Sequence, residues 1–228
     1  IIGDMQLAQP LSSIKGFGDT AIAEIMNNRP FNKVEDLIFN ENIKYSKLNK
    51  KGLDVLCRAG ALDGLIDSRF TGGKHFWSVV AVDRPKSQKK FLENIELYKP
   101  EGEFTDEEKI ENITALTGMY PLSLVMTPKV HSRLLEKGIS PMGQLRQEEQ
   151  AGVCWFVVRS KEIKKTKSDK TYWVVNVTDS TNSLTTIKFW GIQHNDVLHC
   201  NRPYLANVSR DGYGYSIKSM SGNVKLLA

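Results

Sequence analysis

Residues 14–21 read Ile-Lys-Gly-Phe-Gly-Asp-Thr-Ala, and the fold of the chain depends on this stretch. The glycines at positions 16 and 18 can adopt positive φ angles and let a partner approach the backbone without a Cβ in the way. The small residues after them predict the start of a helix, whose first N–H groups and positive dipole end bind anions. We interpret the stretch as a tight hairpin between two helices, with Lys15 adding a charge that suits a nucleic-acid phosphate. The competing interpretation is a plain interhelical turn.

Helical patterns continue from this hairpin to about residue 66. Thr20–Asn28 carries its apolar residues on one stripe, and Pro30 ends that helix. Asn32 and Glu35 have the spacing of a capping box for the next helix. Gly60 has the position of a C-terminal cap for a helix that follows. These short helices predict a compact helical module.

The composition is that of an ordinary globular protein. The chain has 228 residues, of which 40% are hydrophobic and 25% charged, enough for one large domain or two small ones. No apolar run has the length of a membrane span and no signal peptide is recognisable, so we expect no membrane partner. Cys57, Cys154 and Cys200 are few and far apart, which predicts reduced thiols and a cytoplasmic location. Because the first residue is Ile1, we expect a piece of a longer protein.

The basic charge is concentrated in the C-terminal third. Residues 151–228 contain 11 Lys and Arg against 5 Asp and Glu, whereas residues 1–150 contain 20 against 21. Such a basic region favours nucleic acid or another polyanion. Residues 1–70 are balanced, with 9 basic and 9 acidic side chains.

Period-two patterns replace helical ones after residue 151. Alternating segments at 153–159, 171–178, 184–190, 204–208 and 213–218 are separated by turn residues. Five short strands in this length predict a small β-barrel, with an OB fold as the leading candidate. The fold class predicted is therefore a multidomain α + β chain: a helical module at 1–66, a linker and helical bridge at 67–150, and an OB-fold β-barrel at 151–228.

Several segments resemble the C-terminal region of the bacterial DNA polymerase III α subunit, a C-family DNA polymerase found in bacteria and phages. The resemblance is carried by IKGFGDTAIAEIMNNRPFNKVEDL, by LNKKGLDVLCRAGALDGL and by VVRSKEIKKTKSDKTYWVVNVTDSTNSLTTIKFWG, which stand in the family's order. It implies a tandem helix-hairpin-helix module followed by an OB domain, both acting in DNA replication. The implied parent is a DNA-directed DNA polymerase, a nucleotidyltransferase, whose active site lies outside this chain.

The resemblance and the hairpin pattern together predict where DNA binds. The helix-hairpin-helix module is expected to hold the backbone of duplex DNA through Lys15, Gly16, Phe17, Gly18 and Thr20. The OB domain is expected to hold the single-stranded template or a replisome partner. OB folds bind single strands with the loop between their first two strands, the face of strands 2 and 3, and the loop between strands 4 and 5. The residues predicted for this second site are Lys161, Lys164, Lys165, Lys167, Lys170, Tyr172 and Lys188.

A short segment between the two modules resembles the motif by which replicative polymerases hold the sliding clamp. Gln88 stands three residues ahead of Phe91 and Leu92, although the usual order of the last two is Leu-Phe. The alternative is an ordinary amphipathic helix from Gln88 to Tyr98. The first interpretation predicts the clamp as a partner.

No catalytic set, metal site or cofactor is predicted for this chain. His194, His199 and Cys200 lie near one another, but no second pair completes a zinc site. No phosphate-binding loop or nucleophile elbow is present.

Two other functions remain open. A protein-interaction module would contact the clamp or accessory subunits without DNA affinity, and the balanced charge of residues 1–70 is consistent with it. A DNA ligase or repair nuclease fragment would combine the same modules, but ligases place the OB domain first.

Overall fold

A computed structural model describes residues 9–227 of the chain. The chain divides into two compact units, Ile1–Met119 and Tyr120–Ala228. The predicted middle segment, 67–150, therefore contributes to both units, and its separate functional role stays a prediction. Residues 1–8 of the predicted first module lie outside the described residues.

The first unit is helical. Its α-helices have at most 12 residues each, and three 3₁₀ turns, Leu11–Ser13, Asp63–Leu65 and Lys99–Glu101, occur among them. A π-helical turn, Ser78–Val82, continues the fourth helix. The α-helices are α1 (Asp19–Asn27), α2 (Glu35–Ile38), α3 (Lys50–Arg58), α4 (Gly73–Trp77), α5 (Gln88–Tyr98) and α6 (Asp106–Thr117).

Two of the predicted helix ends can be compared with the structure. Gly60 has φ +74°, and its N–H bonds to the Cys57 carbonyl while Ala61 N–H bonds to Leu56, which is a Schellman cap and confirms the predicted stop. The predicted capping box at Asn32 is wrong. The Asp36 carboxylate instead accepts the N–H groups of Asn32 and its neighbour, because Asp36 reaches back over the turn.

One apolar core holds the first unit together. Leu48, Leu53 and Leu56 are fully buried in it, as is Phe91 of α5. Leu116 of α6 belongs to the same core. The core thus extends well beyond the helices of residues 1–66.

The second unit is a seven-stranded sheet with two short helices. The first of these helices is capped by Thr127, whose side chain accepts the Val130 N–H, and it begins at Pro128. The helices are α7 (Pro128–Glu136) and α8 (Met142–Gln147). The strands are β1 (Ser140–Pro141), β2 (Gly152–Lys165), β3 (Thr171–Thr178), β4 (Thr185–Phe189), β5 (Pro203–Asp211), β6 (Gly214–Ile217) and β7 (Val224–Leu226).

The strand order is β1-β2-β3-β4-β6-β5-β7, and β5 also pairs with β2. The pairs β2–β3, β3–β4, β5–β6 and β2–β5 are antiparallel, whereas β4–β6 is parallel. A series of pairings that starts at β2 and passes through β3, β4, β6 and β5 therefore returns to β2. All five strands that the alternating segments predict are present.

Alternation along these strands separates a core face from an outer face. Trp173, Val175 and Val177 of β3 are buried, as are Ile187 and Phe189 of β4. The residues between them point to the opposite side of the sheet. At the coarse level, the prediction of N-terminal helices and a C-terminal sheet is confirmed.

Candidate nucleic-acid interface

The stretch at residues 14–21 forms a tight turn that leads into α1. Phe17 N–H bonds to the Ile14 carbonyl at 3.2 Å, and Gly16 has φ +81°, the value required at the third position of a type II turn. Gly18 is different, since its φ of −87° is open to any residue. A Cβ added at Gly18 would meet no atom within 4 Å. The fold therefore needs glycine at position 16, but at position 18 glycine only keeps the surface open.

The turn leaves several backbone donors available. Lys15 N–H bonds to the Leu116 carbonyl at 2.7 Å, and Gly18, the N-cap of α1, gives that helix no side-chain cap. Unpaired N–H groups at a helix N-terminus form an anion site, strengthened by the helix dipole. Within residues 9–227 no acceptor serves the N–H groups of Gly16, Gly18, Asp19 and Thr20.

The side chains predicted for this site have different environments. Lys15 and Thr20 are exposed, as an interface requires. Phe17 is only 6% exposed and packs in the core, so its side chain anchors the turn instead of contacting DNA. Asp19, which sequence reasoning did not consider, places a carboxylate in the first turn of α1 and opposes an incoming phosphate.

The N-terminus of α3 is not a second site of this kind. Asn49 caps it by accepting the Gly52 N–H at 3.0 Å, so the donor that would face a phosphate is already used. Lys50 and Lys51 are exposed beside it. Among the described helices of the first unit, α1 thus combines an open turn with uncapped donors, and α3 does not.

The predicted lysine loop of the second unit is mostly strand. β2 continues to Lys165 and pairs with β3 residue by residue, so the predicted loop is a long two-stranded arm. Lys161 is half-buried: its Nζ donates to the Leu198 carbonyl at 3.3 Å and lies 4.3 Å from the centre of the Trp173 ring. This contact fixes Lys161 within the protein, and its prediction as a DNA contact has no support from its placement.

The other lysines of the arm are exposed. Lys164 pairs with Glu162 at 3.2 Å and Lys165 with Asp169 at 2.9 Å. Exposed pairs of this kind are weak and a polyanion can displace them. Lys167 and Lys170 lie in the turn at the tip of the arm, and their ammonium groups have no anionic partner in the described part of the chain.

The outer face of β3 and β4 carries a pair of stacked aromatic rings and, beside it, a row of hydrogen-bonded polar side chains. Tyr172 stacks on Trp190, with ring centres 4.4 Å apart and an interplanar angle of 21°. Further along the same face, Asn176 Nδ2 donates to Ser160 Oγ at 3.0 Å, and Thr186 Oγ1 donates to Asn176 Oδ1 at 2.8 Å. The adjacent Trp173 points to the opposite face of the sheet, into the core.

Tyr213 completes this surface and was missed by the sequence prediction. It lies in the turn between β5 and β6 and is 88% exposed. Lys188 of β4 connects it to the outer face, since its Nζ donates to the Tyr213 carbonyl at 3.3 Å. The available signal was an aromatic residue inside an Asp-Gly-Tyr-Gly turn, where a ring has little to pack against.

The segment predicted to bind a clamp is part of a helix with a buried face. Phe91 is fully buried and meets Phe39 edge-on, with ring centres 6.0 Å apart. Leu92 is 52% exposed and Gln88 is exposed at the start of α5. Phe91 thus packs in the core and is not accessible to a clamp in this structure, whereas Gln88 and Leu92 are. Clamp binding stays a prediction, and α5 has the amphipathic character of the alternative interpretation.

Two features of the described residues bear on metal binding and on thiol reactivity. No cluster of three or more His, Cys, Asp and Glu side chains able to hold a metal occurs there. Burial raises the pKa of the Cys57 thiol and raises that of Cys154 to about 12, so both stay protonated. No described helix is long and apolar enough to cross a membrane.

Residues 2–71 match the family of the helix-hairpin-helix motif. The match includes the turn at 14–18 and helices α1–α3, and covers less than a third of the 228 residues. A comparison with curated proteins found no match to this chain. The helix-hairpin-helix part of the sequence prediction is confirmed, and the motif suggests that nucleic acid is a partner.

Proposed function

We propose that this chain is the DNA-holding C-terminal part of a C-family replicative DNA polymerase α subunit. In this role it acts in the cytoplasm and positions DNA, while the nucleotidyltransferase site lies elsewhere in the parent protein. The observation that carries the proposal is the turn at 14–18 and the start of α1, where four backbone N–H groups have no acceptor among residues 9–227, within a matched helix-hairpin-helix motif. The polymerase origin rests on the sequence resemblance.

The first unit would hold duplex DNA without reading its sequence. Backbone N–H groups donate to phosphate oxygens, and such contacts carry no base information. Lys15 adds a mobile charge, while the exposed edge at Gly18 lets the phosphate approach. With so few charges, we expect moderate affinity and a shallow dependence on salt.

For the second unit we propose an OB fold that holds single-stranded DNA. The pairing order supports it: three antiparallel strands in sequence, a parallel β4–β6 pair and a return from β5 to β2 fit a five-stranded Greek-key barrel. In that fold the face of the second and third strands and the loops after the first and fourth strands bind the ligand. Here those parts carry the Tyr172–Trp190 stack, the lysines at the tip of the arm and Tyr213.

The duplex site can be tested with Gly18→Asp. Asp at the N-cap accepts N–H groups of the first turn, so it occupies the proposed phosphate site with a carboxylate while favouring α1. We expect duplex affinity, measured by fluorescence anisotropy of labelled DNA, to fall about tenfold or more, because hydrogen bonds to charged groups contribute about 1.5–3 kcal/mol. The unfolding temperature should stay unchanged or rise.

Gly18→Ser is the matched control, because serine also caps the helix but adds no charge. We expect it to weaken duplex binding less than Gly18→Asp. Unchanged binding in both variants, with the wild type binding duplex, would remove the turn from the interface. Absence of duplex binding by the wild type at low salt would contradict the proposed function of the first unit.

The single-strand site can be tested with Tyr213→Ala, since this ring is so exposed that its loss leaves the fold intact. A stacked base contributes about 1–3 kcal/mol, so affinity for a labelled single strand should fall roughly fivefold or more while duplex affinity stays constant. Tyr45→Ala, which removes a tyrosine that is 56% exposed in the first unit, is the control. An equal effect of both variants would count against stacking on Tyr213.

A protein-interaction module is the second candidate. The balanced charge of residues 1–70 and the carboxylate of Asp19 favour it over a strongly electrostatic DNA grip. It predicts that neither duplex nor single-stranded DNA binds at 50 mM salt. At that concentration, proteins that make many phosphate contacts bind DNA with an affinity about 10³-fold or more higher than at 200 mM salt.

A further inference from the structure

The turn at 14–18 is held by a helix that lies outside the matched motif. Lys15 N–H bonds to the carbonyl of Leu116, the penultimate residue of α6, at 2.7 Å. The match to the helix-hairpin-helix family ends at residue 71, whereas α6 spans Asp106–Thr117. The backbone donor pattern described above therefore depends on residues about a hundred positions away in sequence.

Helix α6 is itself firmly placed. A capping box of Thr105 and Glu108 fixes its start. Arg58 of α3 donates to Asn112 Oδ1 at 3.3 Å, and Lys74 donates to Glu108 at 2.8 Å. The side chain of Leu116 lies in the same core as Ile14 and Phe17. The end of α6 is thus a fixed point against which the turn rests.

The bond to Leu116 has a direct consequence for the free donors. The N–H groups of Lys15 and Phe17 are used inside the protein, while those of Gly16, Gly18, Asp19 and Thr20 have no acceptor in the described residues. Because this N–H belongs to the peptide between Ile14 and Lys15, the bond fixes that peptide at the start of the turn and so the direction of the peptides that follow. A turn without this bond would have to order its donors when DNA arrives, at a cost in affinity.

We propose that α6 is a functional part of the duplex-binding site, and that its Leu116 carbonyl positions the phosphate-binding turn through the Lys15 N–H. This inference rests on the proposed duplex binding by the first unit. It assigns a positioning role to α6, which itself touches no DNA. Residues 2–71, the part that matches the motif, would then form an incomplete duplex-binding site without α6.

The test compares Lys15→Pro with Lys15→Ala. Proline suits the second position of a type II turn, so it keeps the turn while removing the N–H that reaches Leu116. Both variants lose the same charge, and both should therefore lower the slope of log affinity against log salt by about one unit relative to the wild type. We expect the proline variant to bind duplex roughly fivefold more weakly than the alanine variant, the effect of one hydrogen bond.

Asn112→Ala provides a second measurement that leaves the turn sequence intact. It loosens α6 from Arg58 without changing charge, so duplex affinity should fall about twofold or more with an unchanged salt slope. Single-strand affinity should stay constant. Asn42→Ala, an exposed asparagine of the same unit, is the control and should bind as the wild type does.

The outcomes separate the two proposals. If the wild type binds duplex but Lys15→Pro and Lys15→Ala bind equally, the positioning role fails while the proposed function stands. If Lys15→Pro does not fold, Asn112→Ala decides, and wild-type affinity in that variant overturns the inference. If the wild type binds no duplex, both proposals fall.

Discussion

The candidate nucleic-acid surfaces of the two units differ in kind. The helical unit has 16 basic and 18 acidic side chains, and its candidate site consists of backbone N–H groups at one turn. The sheet unit has 15 basic and 8 acidic side chains, and its candidate site consists of lysines and aromatic rings. Recognition through the backbone depends on a few specific φ angles, such as that of Gly16, and on hydrogen bonds that hold the turn, such as that from Lys15 N–H to Leu116. Recognition through side chains depends on which face of a strand each residue occupies, and tolerates more change.

The largest expected effect separates the core of the helical unit from its surface. Phe91→Ala removes a fully buried ring and should lower the free energy of unfolding by about 3–5 kcal/mol. Urea denaturation followed by circular dichroism of the helices measures it. Leu92→Ala, the neighbouring exposed residue, is the control and should cost under about 1 kcal/mol. Equally small losses of unfolding free energy in both variants would show that Phe91 is not buried in the core and would make it available to a clamp.

The sheet unit depends in a similar way on one buried carboxylate. Asp179 is 4% exposed and accepts the N–H groups of Gly143 in α8 and of Thr181. Asp179→Ala should lower the free energy of unfolding by about 2–4 kcal/mol, because the Gly143 N–H is then buried without a partner. The near-ultraviolet signal of the sheet tryptophans reports the loss. Ser180→Ala, at the exposed next position, should have almost no effect; a matching loss there would contradict the role of Asp179.

Acid should weaken the helical unit through the carboxylates that pair with Arg69, which are Glu35 and Asp67. The Arg69 guanidinium holds the pKa of Glu35 below its usual value of 4.5. A carboxyl whose folded pKa is depressed stabilises the fold above its unfolded pKa, and the contribution is lost as pH falls below about 4.5. Glu35→Gln should cost about 2 kcal/mol at pH 7 and flatten the acid limb of stability against pH. Glu93→Gln, on the exposed face of α5, should leave that limb unchanged, and an identical limb in Glu35→Gln would refute the assignment.

The smallest expected effect distinguishes lysines that hold the sheet unit from lysines that are free for a ligand. Lys161→Ala should lower the free energy of unfolding by about 1 kcal/mol through loss of the Leu198 hydrogen bond and the Trp173 contact. Lys167→Ala should change stability by under about 0.5 kcal/mol but weaken single-strand binding. Thermal unfolding and anisotropy on the same samples give both values. The reverse pattern would show that the arm's tip is structural.

Much of the local structure follows from sequence patterns. Gly16, Gly18 and the small residues after them predict the hairpin, and the stop at Gly60 follows from the same rules. Alternation predicts the five main strands of the sheet unit. The arm of β2 escaped prediction because its lysine-rich end has no apolar alternation, although backbone pairing with β3 sustains it.

The candidate site was predicted less completely. Phe17 and Phe91 stand beside exposed residues in sequence, and only packing places both rings in the core. Trp190 and Tyr213 belong to the candidate surface because of contacts with residues distant in sequence: Trp190 stacks on Tyr172, and Lys188 bonds to the Tyr213 carbonyl. Spacing alone could not assign Lys161 to Leu198, since that contact joins β2 to the segment before β5.

The sequence by itself determined the turn at Ile14–Ala21, because glycine's freedom at φ +81° and a helix start are local properties. Local rules also determined the alternation of the strands and the basic charge of the C-terminal region. Only the tertiary structure decided which donors of the turn stay free, because Leu116 takes the Lys15 N–H from far along the chain. It also decided which rings face outward, since a strand's two faces become inside and outside only when the other strands cover one of them.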